Sequence, residues 1–158
     1  MKEIPLTQGK VALVDDEDFE ELSKHKWYFH NGYALRNDYR KETPTKIMMH
    51  RAILGITDSR MGDHINGNTL DNRRGNLRSC NSAQNTQNRS KKTKTSGQYK
   101  GITFHRKIKK WQVMITKNGK ANYLGCYESE TQAAKVYDEA AIKLFGSFAR
   151  LNFPEVLL

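Results

Sequence analysis

Apolar and polar positions alternate along this chain in short blocks, and the blocks change period from one end to the other. KVALVDD (10–16) carries a brief apolar run that ends in acids, which predicts a strand. DDEDFEELSKHKW (15–27) follows with acids where a helix's first turn favours negative charge; Asp16 or Asp18 is expected to cap it, the acidic run being a solvated helix start. WYFHNGYALRND (27–38) predicts strand, turn and strand, because Asn31-Gly32 is a two-residue hairpin signal. TKIMMHRAIL (45–54) is apolar, and its periodicity leaves strand and short helix both open. YKGITFHR (99–106), KKWQVMITK (109–117) and KANYLGCYES (120–129) predict three strands, with Asn118-Gly119 turning the last two. SETQAAKVYDEAAIKLFG (129–146) then predicts an amphipathic helix. Ser129 and Gln132 form its capping box, Gly146 its stop, and Ala133, Val136, Tyr137, Ala140, Ala141 and Leu144 its inner face.

Two stretches lack this patterning. SKKTKTSGQ (90–98) holds no apolar residue and predicts a linker. GDHINGNTLDNRRGNLRSCNSAQNTQN (62–88) opens on an Asp-His pair and contains seven asparagines. Asparagine is poor inside helices and strands and favours turns, so most of this stretch is expected as polar loop. Near its end a short helix is expected at about 81–89, with Asn81 as N-cap and Gln84 as its partner.

Composition narrows the class. The 158 residues are 37% hydrophobic, low for one large core and better suited to small modules. No apolar run reaches the ~20 residues of a membrane span, and MKEIPLTQGK lacks a signal-peptide core, so a soluble, cytoplasmic protein is expected. Cys80 and Cys126 stand far apart, which argues against a zinc ribbon or disulfide framework. Net charge is +10 and is uneven: residues 1–90 hold fourteen basic and twelve acidic side chains, residues 91–158 thirteen and five. Such a field favours polyanions, and nucleic acid is the leading partner, ahead of an anionic membrane; no small-molecule cofactor is expected.

The asparagine-rich stretch also holds the parts needed to cleave a phosphodiester. His64 is the candidate base, because imidazole titrates near neutral pH. Asp63 offers a hard carboxylate oxygen to one Mg²⁺ or Mn²⁺, and Asn85 an uncharged oxygen on the short helix; no structural zinc is expected. At a strand end Asp63 and His64 point to opposite faces. Asn76, before Leu77-Arg78, is placed to pin the intervening loop through backbone hydrogen bonds and so to orient His64. Asn66, Asn68 and Asn72 are expected to shape that loop, with Gly67 at positive φ. His50 is open between a phosphate contact and a structural role, while His25 and His30 read as ordinary surface histidines.

DHINGN (63–68), LDN (70–72), NL (76–77) and Asn85 together resemble the HNH, or ββα-metal, endonucleases, in particular the phage homing branch. The resemblance extends back through IPLTQGKVALVDDEDF, the Trp27-to-GYA segment and MHRAIL, and covers about residues 3–90. It implies Asp63 as metal ligand, His64 as general base, Asn76 as the middle, structural residue and Asn85 as the last metal ligand, where the family often has His. YKGI (99–102), Trp111, YLG (123–125), AAKVYDEAA (133–141) and FARLNFP (148–154) resemble an AP2/ERF DNA-binding domain, whose sheet enters the major groove. Strand alternation then sets Trp111, Val113 and Ile115 on the helix, and Gln112, Met114 and Thr116 toward the duplex with Tyr123. Lys100, Thr103, His105 and Lys107 are the candidates from the first strand. The family's usual arginines are mostly Lys, Thr and His here, which implies looser base selection.

The expected architecture is therefore α+β: an HNH module with added strands over 1–90, a basic linker over 91–98, and a three-stranded antiparallel sheet on one helix over 99–158. The expected function is metal-dependent cleavage of duplex DNA, with the 5′-phosphate and 3′-hydroxyl ends that the resemblance implies; one site per chain makes nicking natural for a monomer, while a dimer could break both strands. A catalytically inactive DNA-binding regulator is the alternative.

Overall fold

In a computed structural model, which describes residues 1–40, 42–89 and 97–154, the chain divides into two units, Met1–Ser82 and Ala83–Leu158. Most of the expected linker, 91–96, lies outside the described residues. The whole is a mixed α and β chain of small antiparallel sheets and four helices.

The first unit opens with β1 (Lys2–Pro5) paired to β2 (Val11–Val14). Helix α1 (Asp16–Ser23) follows, then a sheet of β3 (Tyr28–His30), β4 (Tyr33–Asp38) and β5 (Thr45–Met48) with β4 central. Asn31 and Gly32 both take positive φ, 48° and 91°, as the predicted hairpin turn requires. The undecided segment 45–54 contains both elements: β5 leads directly into α2 (Met49–Ile53). β6 (Met61–His64) pairs with β7 (Leu77–Cys80). Ile4, Ala12, Val14, Leu22, Trp27, Ala34, Met49, Ile53 and Leu77 bury together, so β1, β2, β4, β7 and both helices contribute to one core.

The acids of α1 behave differently from the expectation. The N-cap is Asp15, and its side chain makes no capping hydrogen bond. Asp15 instead accepts from the Arg74 backbone N–H at 2.7 Å, and Asp18 takes the Arg74 guanidinium at 2.9 and 2.6 Å. Glu17 adds a 2.9 Å ion pair to Arg74, and Asp16 holds the N-terminal amine at 2.7 Å. Asp18 is buried by this clamp, so the run is more than a solvated helix start.

The second unit holds α3 (Ser82–Gln87) from residue 83 onward, then β8 (Ile102–His105), β9 (Lys110–Lys117), β10 (Lys120–Tyr127) and α4 (Glu130–Phe145). β9 is the central strand. Asn118 and Gly119 make the β9–β10 turn at positive φ, and Ser129 Oγ accepts from the Gln132 N–H to cap α4. Ile102, Val113 and Ile115 bury against Ala133, Ala134, Tyr137 and Ala141. Ala134 replaces Val136 on the helix's inner face; Val136 lies half-buried beside it. Alanine lets α4 lie close on the sheet, and at Gly101 the approach is closer still: a Cβ there would stand 1.9 Å from Tyr137 Cδ2.

Candidate active site and nucleic-acid interface

β6 delivers Asp63 and His64 side by side at the end of a strand, and both are buried, at 6% and 4% exposure. The pleat sends them to opposite faces. Asp63 sits directly across from Arg78 on β7, whose Nε and Nη2 both reach Asp63 Oδ2, at 2.8 and 2.7 Å. His64 turns the other way. Its Nε2 lies 3.3 Å from Asn72 Oδ1, and its ring meets His50 edge-on, 4.9 Å between centroids. Tyr33 closes the group, 5.6 Å from His50 and 6.2 Å from His64.

Burial holds the His64 imidazole below its ordinary value, although the Asn72 contact and the charges of Asp63 and Asp71 pull it back up. Burial pushes His50 further down, to about 4, with the charges of His64 and Arg51 adding to the effect. Both rings are therefore neutral at pH 7. Asn72 Nδ2 donates to the Leu70 carbonyl at 3.2 Å, which turns Oδ1 toward His64. An acceptor there makes Nε2 the N–H and leaves the ring's lone pair on Nδ1.

The asparagines explain how residues 65–76 hold this arrangement. Asn66 Oδ1 accepts from the Asn68 N–H at 2.7 Å and Asn68 Oδ1 from the Leu70 N–H at 3.2 Å, while Gly67 takes φ 79°. Asn76 is the pin: Oδ1 accepts from the Asn66 N–H at 2.9 Å and Nδ2 donates to the Asp71 carbonyl at 2.8 Å. Its own carbonyl takes the Ile65 N–H at 2.8 Å, one residue beyond His64. Leu13 on β2 binds both flanks of Asp71, accepting from the Asn72 N–H and donating to the Leu70 carbonyl, each at 2.8 Å. Asp71 is itself buried and held by Arg73 and Asn66.

Four contributors escaped the sequence reading: Asn72 as the partner of His64, Arg78 as the partner of Asp63, His50 as the ring against His64, and Arg74 as the tie to α1. The second follows once β6 and β7 are paired in register, since Asp63 then faces Arg78. His50 also has a local sign in Gly62, where a Cβ would fall 2.3 Å from His50 Cδ2. Arg51, next to His50, spends its guanidinium on the carbonyls of Arg60, Asp58 and Ile56.

Among the described residues, no three His, Cys, Asp or Glu side chains are placed to hold a metal ion together. The donors at hand are oxygens, the carboxylate of Asp63 among them. That donor chemistry fits a hard divalent ion which keeps most of its ligands from water and phosphate. Asn85 stands on α3 in the second unit.

The second unit separates its two sheet faces as alternation predicts. Val113 and Ile115 are 0% and 2% exposed, whereas Met114 and Tyr123 are 41% and 59% exposed. Thr103, His105, Lys107 and Thr116 are exposed and Gln112 is half-buried. Trp111 packs against the core and against Phe104, ring centroids 5.0 Å apart. Lys100 is placed otherwise. Its ammonium donates to the carbonyls of Gln87 and Arg89 at 2.6 and 2.7 Å.

The chain belongs to the HNH endonuclease family. It is 34% identical over 149 residues to an uncharacterised HNH endonuclease of Acanthamoeba polyphaga mimivirus, covering 92% of this chain and 76% of that protein. Part of it is AP2-like. Over 58 residues it is 45% identical to an APETALA2-like protein of Oryza sativa subsp. japonica, covering 37% of this chain and 13% of that protein. An ethylene-responsive transcription factor of Arabidopsis thaliana is 40% identical over 72 residues, 39% of this chain and 17% of that one. The chain thus spans under a fifth of the length of either plant relative. No family model and no solved structure matches the chain.

Proposed function

We propose that this protein is a metal-dependent endonuclease that hydrolyses phosphodiesters in duplex DNA, through a ββα-metal site in a nuclease domain over 1–90 and a groove-reading sheet in a binding domain over 99–158. The observation that supports it most is the state of His64: neutral, buried, with Nε2 on Asn72 and its lone pair on Nδ1. Nδ1 takes the proton of a water, and the hydroxide oxygen attacks phosphorus. The bond from phosphorus to the 3′ oxygen breaks, leaving a 5′-phosphate and, once that oxygen is protonated, a 3′-hydroxyl. Asn76 and Asn72 keep the imidazole oriented during the transfer. Asp63, through its position on β6, and Asn85, through the family's motif, would hold one Mg²⁺ or Mn²⁺. When bound, such an ion supplies positive charge to the phosphorane and the departing oxygen.

DNA recognition falls to Thr103, His105, Gln112, Met114, Thr116 and Tyr123, on the sheet face turned away from α4, and to Lys107 in the β8–β9 turn. The mixture of Thr, His, Gln and Lys favours phosphate and single hydrogen-bond contacts over bidentate guanine reading.

Plasmid nicking with Mg²⁺, run beside an anisotropy measurement of DNA affinity, tests the assignment. His64→Ala is expected to lose roughly 10² to 10⁴ in cleavage rate, the usual worth of a general base, with affinity within about twofold. Cleavage at the parent rate would remove His64 from the mechanism.

A further inference from the structure

We propose that Lys100 is a positioning residue that fixes α3, and with it Asn85, to the three-stranded sheet unit. It lies just before β8, among residues whose family resemblance would place it on DNA. Its ammonium is used elsewhere. Nζ donates to the carbonyl of Gln87, the last residue of α3, at 2.6 Å, and to that of Arg89, two residues on, at 2.7 Å. The last turn of a helix leaves carbonyls without intrahelical donors, and a cation there satisfies them and meets the negative end of the helix.

The other end of the tie is equally fixed. Asn152 Oδ1 accepts from the Lys100 backbone N–H at 2.7 Å, and Asn152 Nδ2 donates to the Lys100 carbonyl at 3.2 Å. Asn152 is in turn held by buried Asp138 of α4, which accepts from the Asn152 N–H at 2.8 Å and from the Phe153 N–H at 2.9 Å. One run of hydrogen bonds thus joins the end of α3 to the helix beneath the sheet. Burial lowers the Lys100 ammonium to about 8, as a charge withdrawn from solvent would be. Helix α3 is only six residues long and none of them is buried, so packing alone holds it weakly and a two-carbonyl anchor matters.

The catalytic consequence rests on the reading of Asn85 as a metal ligand. A ligand on a loosely held helix binds its ion weakly, and residues that orient ligands typically carry about 10- to 100-fold in metal affinity or activity. The sheet's grip on DNA would then brace the same helix that presents Asn85.

Lys100→Met keeps the stem and removes the donor, and Lys100→Arg restores donors to the same place. For Lys100→Met, amide hydrogen exchange over residues 83–89 is expected to quicken by about tenfold. Cleavage at limiting Mn²⁺ should fall about tenfold and recover as Mn²⁺ is raised. Duplex DNA affinity and its salt dependence should stay within about twofold of the parent. Lys100→Arg should recover much of the loss. Unchanged exchange over 83–89 would overturn the tie itself. So would a loss of DNA affinity with a shallower salt slope, which is what a phosphate-contacting lysine gives. If exchange quickens while Asn85→Ala cuts at the parent rate at limiting Mn²⁺, the ligand reading of Asn85 fails, and the tie stands without its catalytic consequence.

Discussion

Asp63 and Arg78 show how much one pair decides. Both are largely buried, and two hydrogen bonds join them at 2.8 and 2.7 Å. Removing one member of such a pair leaves the other charged and poorly solvated. Arg78→Met should therefore lower unfolding stability by about 3 kcal/mol, read as a lower urea midpoint with an unchanged slope. A change under half that size would mean that the pair is well solvated after all. His50 makes a pH prediction. Its folded value of about 4 lies below the unfolded value near 6.5, so the unfolded chain binds the proton first. Its contribution is present above 6.5 and is lost as pH falls toward 4, amounting to about 2 kcal/mol by pH 5, with His64 acting in the same direction. Thermal midpoints at pH 7 and pH 5 check this, and His50→Gln, which does not titrate, should show a smaller difference. That Asp63 and His64 share one strand end and that Asn76 pins the loop beyond them was legible, because residue type and spacing carry it. Asn72 and Arg78 were not: Arg78 matters through a cross-strand register and Asn72 through a loop that Leu13 of β2 holds in place, and no single residue announces either.

Elements separate in the same way. The hairpin at Asn31-Gly32, the turn at Asn118-Gly119 and the Ser129 cap were legible because each is a local device, complete within four residues. The acids of α1 misled because their partner, Arg74, is 56 residues away from Asp18. Segment 45–54 could not be resolved by period because it switches from strand to helix at Met49. The contact between α4 and β8 gives a sharper test. Gly101 sits at φ 81° with Tyr137 Cδ2 where a Cβ would be. Gly101→Ala combines left-handed strain with a clash, and should cost about 2 kcal/mol or more, seen as an earlier loss of α4 ellipticity on heating.

At the scale of the molecule, charge is the governing quantity. Residues 91–158 carry most of the net charge of +10, and the β8–β9 turn exposes Arg106, Lys107 and Lys109. Binding to duplex DNA should weaken steeply with salt: a surface making ~6 phosphate contacts loses roughly 10³ in affinity between 50 and 200 mM. Anisotropy titrations over that range measure it, and a nearly flat dependence would argue that base or shape contacts dominate. No helix among the described residues is long and apolar enough to cross a membrane.

The amino-acid order alone determined the periods of the elements, the turns and the adjacency of His64 to the Asp63 carboxylate, each set by near neighbours in the chain, and the uneven charge, which is a matter of composition. Tertiary structure decided which nitrogen of His64 carries its proton, which charge faces Asp63, and that Lys100 meets a helix end. Those depend on groups brought together from distant positions, and burial, which sets the strength of each such contact, exists only once the chain has closed around them.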